Sequence, residues 1–114
     1  MIDKREAKNL RARLERVAKG LGPDEKFWLE VHSLRHRRRG GRWKAAICRH
    51  RDAGEAFSGT SADRVVFSLD YPSQLPDWLE ALGVRPVQPM PEDWNDITVF
   101  GCDVEAHEKE TARP

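Results

Sequence analysis

The chain has 114 residues, 34% of them charged and 39% hydrophobic, with a formal net charge of +1. That length suits one domain able to bury its own core without a disulfide framework or a metal, and no apolar run approaches the roughly 18 residues that a membrane span needs. Two cysteines, Cys48 and Cys102, are too few for a secreted disulfide scaffold, and Met1-Ile2-Asp3-Lys4-Arg5-Glu6 shows no apolar stretch of a secretory signal, so a cytoplasmic location is expected.

The small net charge conceals a segregation along the chain. Residues 1–29 carry +3, residues 30–51 carry +7, residues 52–69 carry −2 and residues 70–114 carry −7. The folded molecule is therefore expected to be an electrostatic dipole.

From residue 3 to about residue 20, Ala7, Leu10, Leu14, Val17 and Ala18, with Leu21 just beyond, recur at spacings of three and four, which predicts an amphipathic helix. Asp3 is its expected cap and Gly20, Gly22 and Pro23 its stop. The opposite face carries Lys4, Arg5, Lys8, Arg11, Arg13 and Arg16.

Residues 26–37 alternate, with Phe27, Leu29 and Val31 on one side and Trp28, Glu30 and His32 on the other, as a half-buried strand does. Residues 42–50 alternate again through Trp43, Ala45 and Ile47, and Gly40-Gly41 supplies the turn between the two strands. A two-residue loop would set Trp43 and Ile47 beside Trp28 and Glu30. A three-residue loop, Arg39-Gly40-Gly41, sets Trp43, Ala45 and Ile47 beside Phe27, Leu29 and Val31, and it is favoured because it gathers one apolar face.

Residues 52–63 read as a connection rich in small residues. Residues 64–70, with Val65, Phe67 and Leu69 alternating, make a third strand. Residues 73–83 follow as a short helix capped by Ser73 and stopped by Gly83. Pro86, Pro89 and Pro91 argue against regular structure in the next stretch. Residues 97–104 then form a fourth strand, with a bulge or a close backbone approach expected at Gly101. Residues 105–114, highly charged, are expected to be a mobile tail.

The expected architecture is thus an α+β single domain over residues 1–104. Its order is α-β-β-β-α-β, with helices on one face of a mostly antiparallel four-stranded sheet. Double-stranded-RNA-binding domains share the first five elements in that order. The likeness is one of element order only, because the second helix lacks the Gly/Lys/Ala-rich start that grips phosphates in that family.

The densest chemical signal is the basic hairpin, with Arg35, Arg37, Arg38, Arg39, Arg42, Lys44, Arg49 and Arg51. Arginine forks bind phosphate oxygens bidentately, and Trp43 or His36 can stack on an unpaired base. The expected function is a non-catalytic nucleic-acid-binding module that holds RNA or DNA backbone with little sequence readout. The alternative is a small regulatory or inhibitory protein. It would engage an acidic or basic protein partner, or a second copy of itself, through segregated charged faces, with Asp77, Glu80, Asp93, Trp94 and Asp96 on the acidic side and Trp78 and Trp94 as exposed anchors.

Other chemistry is weakly signalled. Cys48-Arg49-His50 and Cys102-x4-His107 have poor spacing for zinc, and the cysteines read instead as small buried hydrophobes. No Gly-rich phosphate loop, paired-cysteine motif or Ser-centred elbow is present. Glu30 and His32 share a strand face as either an acid/base pair or an ordinary ion pair. No enzyme activity, metal or cofactor is expected.

Overall fold

A computed structural model describes residues 2–22, 24–33, 43–50, 64–94 and 97–111. Chain order is α1 (Lys4–Lys19), β1 (Phe27–Ser33), β2 (Trp43–Arg49), β3 (Arg64–Leu69), α2 (Leu75–Leu82), β4 (Val84–Pro86), β5 (Ile97–Val104) and α3 (Glu105–Thr111). The sheet runs β3-β2-β1-β5-β4 and every adjacent pair is antiparallel. The protein is a small α+β domain, with five strands rather than the expected four and with a helix where a tail was expected.

α1 starts where its sequence says it should. Asp3 Oδ1 accepts the amides of Arg5 at 2.9 Å and Glu6 at 3.2 Å, satisfying two donors that have no partner inside the helix. Ala7, Leu10, Leu14, Val17 and Ala18 are buried and join one core with Phe27, Leu29 and Val31 of β1, Ala45 and Ile47 of β2, and Phe100 and Val104 of β5. α2 adds Leu75, Trp78, Leu79 and Leu82 to the same core, so the helices cover one face of the sheet. Trp78, an exposed anchor only in the alternative protein-binding reading, is 5% exposed and belongs to the core. Its ring packs on Phe67 with centroids 5.2 Å apart. Helical spacing from Leu75 turns it inward, while Asp77 and Glu80 face outward.

Ser73 does not cap α2: it lies inside a single 3-10 turn, Pro72–Gln74, that leads into the helix. Gln74 Oε1 accepts the Asp70 amide there at 2.9 Å. Gly83 does end α2, in the left-handed conformation at φ 71° that glycine adopts without steric cost.

The β1–β2 register has the expected faces but a different offset. A three-residue loop would place Trp43 opposite Arg37, whereas Trp43 stands opposite Ser33. A shift of four leaves the faces unchanged, because strand side chains alternate with period two. It also improves the partners. Leu29 meets Ile47 and Val31 meets Ala45, where the expected offset would have set Arg51 and Arg49 beside them. The expected extension of β1 to Arg37, the loop geometry and the connection at 52–63 lie outside the described residues.

Two elements escaped the local reading. β4 pairs Val84 with Val104 and Pro86 with Cys102 at the sheet edge, where a proline's missing N–H costs no ladder bond. α3 is tied down from several sides. His107 Nε2 lies 3.0 Å from the Gly22 carbonyl, its ring stands edge-on to Phe27, and Arg85 donates to Glu108. Arg11 of α1 approaches Glu105 at 3.5 Å. None of the described helices is long and apolar enough to cross a membrane.

Candidate functional site

β1 and β2 are inner strands, each paired on both sides, so the ribbon they form is held by a neighbouring strand on either flank. Its open end is the Ser33–Trp43 pair. The nine residues of sequence between them hold five arginines, one histidine and no acid. Arg35, Arg37, Arg38, Arg39, Arg42 and Arg51 lie outside the described residues, as does Asp96 of the acidic set.

Lys44 and Arg49 are described, and they do not share a surface. Lys44 pairs with His32 near the open end, on the face away from the helices. Arg49 pairs with Phe27 at the far end, about 17 Å along the strand at the usual rise. There it lines a cavity of about 300 Å³ with Asp24, Glu25, Lys26 and His50. Alternation places the two side chains on opposite faces, so Arg49 belongs to the far pole rather than to the hairpin tip.

The acidic residues divide as well. Asp77 and Glu80 are exposed on α2, whereas Asp93 and Trp94 precede β5. Trp94 is half-buried, and its ring meets that of Trp43 edge-on with centroids 6.3 Å apart. This contact sets the beginning of β2 against the end of the acidic segment 92–94.

On the face away from the helices, Glu30 is the one carboxylate among the described buried residues, 2% exposed. It stands between Ala46 and Val99 across the strands, and its Oε1 lies 2.5 Å from His32 Nε2. Taking a carboxylate out of water is costly unless it is paired, and the histidine is its close partner. Beside the pair lies a small apolar patch of Ala46 and Cys48 flanked by Trp28 and Val66. Neither described cavity includes Glu30 or His32 in its lining.

The possible zinc ligands are dispersed. Cys48 and Cys102 are both buried, on opposite faces of the sheet, His50 packs against Trp28, and His107 is bonded to Gly22. Among the described residues no three His, Cys, Asp or Glu side chains gather closely enough to hold a metal. Burial pushes the Cys102 thiol up to about 12, with Cys48 and Asp103 adding to the shift. A thiol so placed is neutral and a poor nucleophile at ordinary pH.

A larger cavity of about 530 Å³ opens at the far pole, between residues 25–28 of β1 and its approach, residues 99–103 of β5, and Val87 and Gln88. Sequence reading missed it. Its walls come from segments more than fifty residues apart, brought together by the β1–β5 pairing, which no local pattern announces. No protein-family model matches the chain, and no curated protein and no solved structure matches it either.

Proposed function

We propose that this protein is a non-catalytic module that holds nucleic-acid backbone through the β1–β2 ribbon, with little sequence readout. The supporting observation is the pairing of Ser33 with Trp43 in two inner strands, because it mounts a nine-residue, five-arginine connection on a rigid base. Dense positive charge on a fixed attachment favours phosphate binding, because arginine forks bind phosphate oxygens bidentately. Lys44 adds one more cation next to the base of the ribbon. The exposed residues Lys4, Arg5, Lys8, Arg13 and Arg16 of α1 extend the positive surface on another element.

The test is fluorescence anisotropy of labelled single- and double-stranded oligonucleotides over a salt series. With about five phosphates neutralised, log K falls against log salt with a slope near −4.5 on duplex DNA. Arg37→Glu, Arg38→Glu and Arg39→Glu together abolish binding while the melting temperature is retained. Absence of binding at low salt, or unchanged affinity in the triple variant, refutes the reading.

The Trp43–Trp94 contact favours one second reading, a regulatory protein that engages a partner through a joint basic and acidic surface at this end of the sheet. Tryptophan and arginine are enriched among interface anchors, and complementary charge around an interface steers association. A partner that co-purifies after nuclease treatment and is lost on Asp93→Lys selects this reading over the first.

A further inference from the structure

The larger far-pole cavity has the size of a small-molecule site and a lining with a definite chemical bias. Among the described lining residues there are two carboxylates, Glu25 and Asp103, and one ammonium, that of Lys26. Lys26 is exposed, and its long stem lets its head turn to water. Glu25 Oε2 is screened from solvent and accepts no hydrogen bond from any described group. A buried acceptor left in that condition is costly, and a turn of the Glu25 carboxylate that brought it to a donor in the cavity would relieve it. His107 shares the lining, and its Nε2 is already engaged with the Gly22 carbonyl.

Trp28, Val87, Val99 and Phe100 make part of the remaining wall apolar. Trp28 stands directly across from Gly101 in the β1–β5 pairing. A methyl group at Gly101 would come within 3.1 Å of Val87 Cγ2, so the glycine preserves room between β5 and the Val87 side chain. The Val87 amide donates to the Gly101 carbonyl at 3.0 Å, holding that wall in place. Aromatic surface beside carboxylate charge is the combination that binds organic cations.

We infer that this cavity binds a small planar organic cation of the aryl-amidinium or aryl-guanidinium class, with its N–H groups on Glu25 and its ring against Trp28. The site is independent of the arginine-rich connection and lies at the opposite end of β1.

Titration of the full ¹⁵N-labelled chain with benzamidine, followed by NMR, tests the inference. The expected result is a saturable shift of the Gly101 amide and the Trp28 indole N–H. Neutral benzamide should bind at least about tenfold more weakly, and Glu25→Gln should lower benzamidine affinity by a similar factor, as loss of a charge-assisted hydrogen bond does. No saturable response to millimolar benzamidine, equal binding of benzamide, or unchanged affinity in a folded Glu25→Gln variant overturns it. Methylguanidinium binding as tightly as benzamidine also overturns it, since no aromatic wall would then be in use. Should Glu25→Gln fail to fold, the two neutral-versus-cation and aryl-versus-methyl comparisons on the unaltered chain decide.

Discussion

Glu30 and His32, two residues apart on β1, meet through Oε1 and Nε2 at 2.5 Å on the face of the sheet away from the helices. The glutamate is 2% exposed and the histidine side chain 25%, so the pair bridges the buried sheet surface and its margin. A double-mutant cycle with Glu30→Gln and His32→Ala should yield a coupling of about 1–3 kcal/mol by urea unfolding, as for contacting members of one polar network. A coupling near zero would show that the two side chains act independently.

The buried Cys102 thiol supplies a pH signature. Its pKa is raised from 9.0 to about 12, mainly by burial, so the folded state keeps a proton that the unfolded chain releases. The resulting stabilisation is complete below pH 9 and is lost as pH rises from 9 towards 12, at about 1.4 kcal/mol per pH unit. The stability difference between the wild type and Cys102→Ala, measured by urea unfolding at pH 8 and pH 10.5, should therefore shrink at the higher pH. A difference that stays constant would contradict the shift.

Gly83 joins two conclusions about the C-terminal part of the fold. Its φ of 71° disfavours any side chain, and a Cβ there would lie 3.0 Å from Glu105 Oε2. The Gly83 carbonyl also accepts the Glu105 amide at 2.8 Å, so the end of α2 meets the start of α3. Gly83→Ala should cost about 1–2 kcal/mol in chemical denaturation. Gly22→Ala, which meets nothing within 4 Å, should cost less. Equal costs would remove the argument from conformation and contact at Gly83.

Elements whose causes are local were legible before folding was considered. Asp3 and the stripe from Ala7 to Ala18 lie within a few turns of one another, and the left-handed stop at Gly83 is a property of glycine itself. Alternation likewise assigned Trp43, Ala45 and Ile47 to the face of Phe27, Leu29 and Val31. It did not assign the offset, because a period of two is indifferent to any even shift. The offset follows from pairing Leu29 with Ile47 while Phe100 of β5 and Phe67 of β3 complete the same layer on the flanking strands.

The sequence by itself determined the α+β class, the first helix and its cap, the faces of the central strands and the concentration of arginine between Ser33 and Trp43. Only the tertiary structure decided that β5 inserts beside β1, that a proline-bearing edge strand follows α2, and that the charged residues from Glu105 onward form a helix. Those outcomes rest on contacts between distant segments, such as His107 with Gly22 and Phe27, whose free energy exists only once the chain has closed on itself. The far-pole cavity is of the same kind, since Trp28, Glu25, Val87 and Gly101 become neighbours through strand order alone.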